Sequence, residues 1–306
     1  VVTVLLLTEL KHTFTEFAQR MKNDEMITLA KFLAISGIIL PMLPHKNLIP
    51  DINLTPYSIW LATVVVSGIS YLSYLLKRYV FHESGTLVSG IIGGLYSSTA
   101  TISVLARKSR KASEQEATDY VAAMLLAVSM MFLRFMILIL IFSREIFLSI
   151  YPYLLTMAVV AAIVAWFIHS RQKRPEDQPA ETEEDDSSNP LEFKVALIFA
   201  VLFVIFTFLT HYTLVYAGTG GLNLLSFVSG FSDITPFILN LLQNTGSVAA
   251  LIITACSMQA IISNIMVNMF YALFFAGKGS KLRPWILGGF GVVIACNLVL
   301  LLFFYI

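Results

Sequence analysis

Long apolar runs recur along almost the whole chain and predict its basic organisation. Each run holds about 20 residues with few charges, the length that an α-helix needs to cross a hydrocarbon core of roughly 30 Å. Runs of this length are typical of membrane spans rather than of the core helices of a soluble domain. The pattern predicts seven complete transmembrane helices, at residues 26–44, 57–76, 119–142, 147–169, 194–216, 248–274 and 283–305.

Two further apolar stretches, residues 85–106 and 221–244, carry helix-breaking residues near their middle. The first contains several glycines followed by a cluster of Ser and Thr. The second contains Ser229 and Gly230 followed by a polar turn and Pro236. Such compositions interrupt helices, so we expect both stretches to be broken at mid-membrane.

Polar segments divide the chain into four parts. Residues 1–25 are predicted to hold the tail of a truncated helix and an amphipathic surface helix, with a solvated connector as the alternative. Residues 26–170 form a first membrane portion, and residues 194–306 form a second. The acidic segment 171–193 between them is predicted to be a disordered linker; a cation-collecting tether is the alternative.

Composition agrees with lipid as the main solvent of this chain. Hydrophobic residues make up 57% of it, charged residues only 13%, and the mean hydropathy is +0.80. One globular core cannot hide that much apolar surface, so the predicted fold class is an all-α polytopic membrane protein.

The formal net charge of +1 gives no reason to expect a nucleic-acid partner. Cys256 and Cys296 lie in apolar segments, and we assign them no disulfide, metal or other chemistry.

Basic residues test how the broken stretches cross the membrane, because Lys and Arg in short loops favour the cytoplasmic side. If both stretches span fully, the clusters at Lys77 and Arg107 fall on opposite sides. If both are re-entrant hairpins, every basic cluster falls on the cytoplasmic side. We therefore predict two hairpins, the first entering from the cytoplasm and the second from outside. The clusters are Lys11 to Lys22, Lys77 with Arg78, Arg107 to Lys111, Arg171 to Arg174, and Lys278 to Arg283.

A weak internal repeat supports this opposed arrangement. A shift of 136 places residues 93–100 over residues 229–236, so that small residues meet small residues. A shift of 134 places Ser129 and Arg134 over Ser263 and Asn268. Inverted repeats whose broken helices meet at the midplane are the architecture that many secondary transporters use.

The two breaks are the predicted solute site. Half-helix ends present unpaired N–H or C=O groups that, with Ser and Thr hydroxyls, can replace the hydration shell of a solute. The alternative is that Gly and Ser merely allow close helix packing. The candidate substrate-binding residues at the breaks are Ser97, Ser98, Thr99, Thr101, Ser232, Asp233 and Thr235.

Other intramembrane polar residues extend this candidate site. Arg134 and Asp233 are costly in lipid unless paired or hydrated, and they could form a substrate-replaceable ion pair or a permanent buried pair. Asn264 and Asn268 share a helix face, where they either bind solute or make interhelical hydrogen bonds. His211 is a candidate proton-coupling group, with a simple hydrogen-bonded role as the alternative. No metal-ligand set, cofactor motif or enzyme constellation is found, so we predict no cofactor and no catalytic activity.

The segment from Gly93 to Thr101, followed by Leu105-Ala106-Arg107, resembles the long-form MgtC/SapB-like bacterial membrane proteins. In those proteins an MgtC-like domain precedes a C-terminal domain of unknown function, and the resemblance covers nearly all of residues 9–306. A family motif with two acidic residues is similar to residues 230–236, where Asp233 keeps the first acid and Thr235 replaces the second. A family Asn and Lys one turn apart correspond to Asn264 and Asn268.

These observations predict a transporter or channel-like permease for an ion or small solute in the bacterial inner membrane. The resemblance implies an alternative, a membrane regulatory or interaction protein of MgtC type without transport activity. The expected partners are the lipid bilayer and a small solute. Gly288, Gly289 and Gly291 would permit a close helix contact in a homo-oligomer.

Overall fold

A computed structural model describes residues 23–49, 52–80, 85–110, 114–171, 193–243, 248–277, 280 and 282–305. The described residues form helices joined by short connections. The helices are α1 (Asn23–Met42), α2 (Pro56–Leu75, continued by a π-helical turn at Leu76–Val80), α3 (Thr86–Lys108), α4 (Glu114–Phe142), α5 (Arg144–Ser170), α6 (Phe193–Ser229), α7 (Ile234–Gln243), α8 (Ala250–Ala276) and α9 (Arg283–Tyr305).

The predicted all-α membrane fold is confirmed. Each of the seven predicted spans coincides with a helix or helix portion long and apolar enough to cross a bilayer. The outward faces of these helices carry large apolar side chains, among them Leu33, Trp166 and Val215, each at least 60% exposed. Water does not tolerate so much continuous apolar surface, so lipid must cover it. The predicted surface helix before residue 23 and the predicted linker, apart from its end residues Arg171 and Phe193, lie outside the described residues.

Local sequence signals determine where several helices begin. At the start of α2, Ser58 donates its N–H to the Thr55 hydroxyl at 3.0 Å, and Thr55 donates its own N–H to the Ser58 hydroxyl at 3.2 Å. Pro56 occupies the first helical position, where its missing N–H costs nothing. Ser143 caps α5 in the same way by accepting the N–H of Ile146 at 3.3 Å.

Helix α3 is broken at Ser97, whose φ of −158° and ψ of 109° are extended. Its first arm runs parallel to α4, because a Cβ at Gly90 would meet the Ala123 backbone and a Cβ at Gly94 would meet the Ala127 backbone. The second arm returns to the start of α4 through a short connection, and across the break Gly93 lies against the Thr101 side chain. The two arms are therefore antiparallel, so α3 folds into a helical hairpin, although its length and apolar composition alone would suffice for a span.

A second hairpin follows the same design. Helix α6 is interrupted at Gly218, where φ is +60° and ψ is −152°. Its last part, from Thr219 to Ser229, runs parallel to α8: Ser226 bonds Gln259 at 2.9 Å, and Gly230 packs on Ser263. After a turn at residues 230–233, α7 runs back toward the start of α8. Each arm holds about 11 residues, roughly 16 Å, which is half of a bilayer core.

The hairpins are equivalent at a shift of 136 throughout. The contact of Gly94 with Ala127 corresponds to that of Gly230 with Ser263, and the break at Ser97 corresponds to Asp233. The same shift relates α2 to the first part of α6, α4 to α8 and α5 to α9. The shift of 134 predicted for Arg134 was therefore wrong by two residues, because side-chain polarity alone could not fix the register of two uniformly apolar helices.

Packing and charge agree on the orientation of the two repeats. Each repeat contains three spans and one hairpin, an odd number of crossings, so the second repeat is inverted relative to the first. Arg110, beyond the first hairpin, donates to the carbonyl of Phe274 at 3.2 Å, and the Arg107 guanidinium stacks on Phe275 at 4.3 Å. The end of the first hairpin and the end of α8 thus lie side by side, as expected if the positive charges of both face the cytoplasm.

Candidate functional site

The tip of the first hairpin lies between its two arms, at residues 96–100. Ser97 caps the second arm by accepting the N–H of Ala100 at 3.3 Å. The last carbonyl of the first arm, Tyr96 O, accepts a hydrogen bond from Nη1 of Arg134 at 2.9 Å. The break therefore has a capped helix N-terminus and an arginine-bound C-terminus within a few residues of each other.

The tip of the second hairpin is capped by a charged residue instead. Asp233 Oδ1 accepts the N–H of Thr235 at 2.9 Å, so its carboxylate lies at the N-terminus of α7. A carboxylate at this position is favoured by the helix dipole. Ser232 donates its hydroxyl to the carbonyl of Ser229 at 3.1 Å. Ser232 and Asp233 are both exposed at the turn of the hairpin.

Arg134 contacts the first tip. Its guanidinium donates to Tyr96 O, and its helix α4 also packs against α7 of the second hairpin. No N–O distance between Arg134 and Asp233 is within 4.0 Å, so the permanent buried ion pair allowed by the sequence is not formed. Arg134 is partly exposed, but its Nε atom is buried and has no hydrogen-bond partner. The Arg134 guanidinium is thus hydrogen-bonded through Nη1, whereas its Nε has no partner among the described residues.

Polar side chains of α8 fasten the second hairpin to that helix. Ser263 donates to the carbonyl of Phe227 at 2.7 Å, and the Asn264 amide donates to the carbonyl of Gly230 at 3.2 Å. Asn268 donates to the Asn264 side chain at 3.2 Å, while its own Oδ1 is buried without a partner. Asn264 therefore makes the kind of hydrogen bond between elements that the sequence allowed, whereas the bond of Asn268 to Asn264 lies within α8. A solute-binding role for either of them stays a prediction.

The remaining candidate residues differ in how accessible they are. Ser98 and Thr235 are buried, at 7% and 2% exposure, whereas Thr99 and Thr101 are partly exposed. The ring of His211 makes an edge contact with Tyr212 and forms no hydrogen bond or ion pair with the described part of the chain. Its proposed proton-coupling role stays a prediction.

The sequence prediction missed the contacts that lie behind the second tip. Ser226 donates to Gln259 at 2.9 Å, and the Cys256 thiol lies 3.4 Å from Oδ1 of Asn223. On α8, Cys256 and Gln259 thus form a polar column together with Ser263 and Asn264. The spacing of polar residues on α8 could have indicated this column. Their partners on the hairpin arm could not be identified without knowing the fold.

A charged cluster at one end of α1 and α2 was also missed. The buried Glu25 carboxylate pairs with Arg78 at 2.6 Å and accepts the Tyr74 hydroxyl at 2.8 Å. Tyr79 donates to the same carboxylate, and Tyr71 donates to the Glu25 carbonyl at 3.3 Å. Tyr71, Tyr74 and Arg78 follow one another at helical spacing, which was the available signal. The cluster fixes α1, which has no counterpart in the second repeat.

Among the described residues, no group of three or more His, Cys, Asp or Glu side chains is arranged to hold a metal ion. Cys256 and Cys296 are both free thiols. The chemistry available at the tips is therefore recognition through hydrogen bonds and charge, supplied by one arginine, one aspartate, hydroxyl groups and half-helix ends.

Comparison with known proteins identifies the family of this chain. An uncharacterized protein of Aquifex aeolicus (strain VF5) is 24% identical over 227 residues, which cover 72% of this chain and 96% of that relative. No solved structure matches this chain. Residues 64–276 match the family described as "Domain of unknown function (DUF4010)", a range that includes both hairpins and the helices α4 and α8 that hold them. These matches concern that domain, so the MgtC/SapB-like resemblance stays a prediction. The chain belongs to the DUF4010 family, a family of unknown function.

Proposed function

We propose that this protein is a transporter or channel-like permease of the bacterial inner membrane, with its solute site between the tips of the two hairpins. The observation that carries the proposal is the position of Arg134. It binds the tip of the first hairpin through Tyr96 O, and the helix that carries it, α4, also packs against α7, whose N-terminus Asp233 caps. Parts of both hairpins thus lie against the helix that carries this arginine.

The exposure of this centre supports an aqueous path. A carboxylate or guanidinium facing hydrocarbon at mid-membrane costs several kcal/mol. Irregular backbone at that depth is tolerated only where protein surrounds it or water fills a cavity. Asp233 and Ser232 are exposed and Arg134 and Ser97 are partly exposed, so the tips require water, solute or another protein surface beside them.

The inverted repeat supplies a physical route for alternating access. Because the two hairpins are structurally equivalent and oppositely oriented, each can open toward its own face by the same movement. The first hairpin is held to α4 by Gly90 and Gly94 and the second to α8 by Gly230, so each hairpin can move with its partner helix as one unit. The solute at the tips then remains in place while access changes.

The test is permeation into proteoliposomes. The purified chain is reconstituted into liposomes. Light scattering then follows the swelling of these liposomes in iso-osmotic sodium chloride, sodium phosphate, sodium succinate and glycine. The proposal predicts that at least one of these solutes enters faster than into empty liposomes, and that Asp233→Asn lowers this rate. Asp119→Asn is the matched control, because Asp119 pairs with His169 at 2.7 Å, outside the proposed site.

Two results would contradict the proposal. The first is permeation no faster than in empty liposomes for every solute, including protons followed with a pH-sensitive dye. The second is an equal effect of Asp233→Asn and Asp119→Asn. A stable stoichiometric partner recovered from native membranes, together with no permeation, would instead support the regulatory alternative.

A further inference from the structure

We infer that the solute site binds a small oxyanion, such as a carboxylate or phosphate, through the guanidinium of Arg134 on the side of the first hairpin. This inference rests on the proposed transport function and specifies its substrate class. Three features carry it: the engagement of the carbonyl groups at the tips, the unpaired part of Arg134, and the different caps of the two half-helices.

Four carbonyl oxygens at or next to the tips already accept hydrogen bonds from side chains. At the second tip, Phe227 O accepts the Ser263 hydroxyl, Ser229 O accepts the Ser232 hydroxyl, and Gly230 O accepts the Asn264 amide. At the first tip, Tyr96 O accepts Arg134. Cation sites in broken helices depend on free carbonyl oxygens, so these bonds make the tips poor cation ligands.

Donors, by contrast, are left over. Arg134 presents five N–H groups in a planar fork, but its Nη1 bond to Tyr96 is the only protein hydrogen bond that it makes in the described residues. Its Nε is buried and unpartnered, and Asp233 does not reach it within 4.0 Å. An oxyanion would accept the remaining Nη N–H groups and compensate the charge, since planar oxygen pairs match the geometry of the guanidinium.

Each hairpin has a second arm, and the N-terminal caps of these two arms determine at which tip the anion binds. Both half-helices begin at the tips, and the positive end of a helix dipole favours an anion. In the second hairpin this place is already taken by the Asp233 carboxylate. In the first hairpin the cap is the neutral Ser97, next to the carbonyl that holds Arg134. An incoming anion therefore meets two attractive groups at the first tip and a like charge at the second.

The test measures protection of Arg134 from phenylglyoxal, a reagent that modifies guanidinium groups, by peptide mass spectrometry. The wild-type protein in detergent is labelled in sodium chloride and in sodium phosphate or sodium acetate at equal ionic strength. At ten times the dissociation constant, we expect the oxyanion to slow modification of Arg134 about tenfold. Arg144, which is exposed at the start of α5, is the internal control and should react at an unchanged rate.

Variants supply the second readout, the rise of the melting temperature on addition of the same salts. Arg134→Gln should abolish the rise of the melting temperature on addition of oxyanion. Arg134→Lys keeps the positive charge but loses the planar guanidinium, so it should weaken oxyanion affinity by about 10- to 100-fold. Asp233→Asn should retain the effect or strengthen it, because it removes a nearby negative charge. Phosphate and acetate are separate arms, and protection by one alone would identify the preferred oxyanion.

Equal modification of Arg134 with and without both oxyanions would overturn the inference, and this measurement does not depend on any variant folding. Stabilisation by sodium or potassium that is lost in Asp233→Asn would also overturn it, in favour of a cation site. In either case a solute flux in the swelling assay would leave the transport proposal intact, so the two failures can be distinguished.

Discussion

Substitution of Gly94 by alanine tests the close packing that forms the first hairpin. A Cβ at Gly94 would lie 2.5 Å from the Cα of Ala127 and 2.6 Å from its carbonyl oxygen. Carbon atoms in contact are normally about 3.5 Å apart or more, so the arm would have to withdraw from α4 by about 1 Å. The obstacle is backbone of a regular helix, which cannot rotate aside as a side chain can.

The expected cost follows from this displacement. Overpacking of a close-packed interface destabilises a protein by about 1 to 3 kcal/mol. The same movement would lengthen the 2.9 Å bond between Arg134 and Tyr96 O, which adds to the cost and disturbs the tip. Against this, alanine is favoured over glycine within a helix by about 1 kcal/mol. We therefore expect Gly94→Ala to be clearly destabilising overall.

Gly68 provides a matched control in helix α2. No atom lies within 4 Å of a Cβ built on Gly68, so Gly68→Ala should be neutral or stabilising by up to about 1 kcal/mol. The melting temperatures of the two variants and the wild type, measured in the same detergent, give the comparison. If Gly94→Ala were as stable as Gly68→Ala, the close approach of the first arm to α4 would be refuted, and with it the hairpin.

Three further predictions concern other contacts. Asn264→Ala should destabilise the protein by about 1 to 3 kcal/mol because it releases Gly230 O. Asn297→Ala should cost less because the Asn297 amide donates to Val293 O within its own helix, and thermal unfolding of the two variants gives the comparison. Glu25→Gln should lower the melting temperature and expose the 43–55 connection to protease, since it leaves Arg78 without its anionic partner, and wild-type stability would contradict this. The third prediction concerns topology and uses single cysteines in a background without Cys256 and Cys296. Cysteines placed at Gly85 and Lys108 should react with an impermeant thiol reagent from the same membrane face, and a cysteine placed at His45 should react from the other face. Labelling of the first two sites from opposite faces would refute the re-entrant hairpin.

Much of the topology could be predicted from the sequence because it depends on one-dimensional quantities. The length of each apolar run determines whether it can span a bilayer, and the basic clusters determine its orientation. Glycine and clustered Ser and Thr marked the breaks, and Ser97 and Asp233 lie where the two helices are in fact interrupted or capped. These signals are local, so a single chain contains them in full.

Only the tertiary structure decided which groups meet at the breaks. The shift of 136 became certain only from paired contacts such as Gly94 with Ala127 and Gly230 with Ser263, because uniformly apolar helices look alike at neighbouring registers. The sequence suggested that Arg134 and Asp233 form a pair, but Arg134 reaches a backbone carbonyl instead. Hydrogen bonds between helices depend on rotation and depth to within an ångström, and hydrophobic patterning does not encode these. The sequence by itself thus predicted two opposed hairpins, and the fold determined that a partly unpaired arginine contacts the tip of the first.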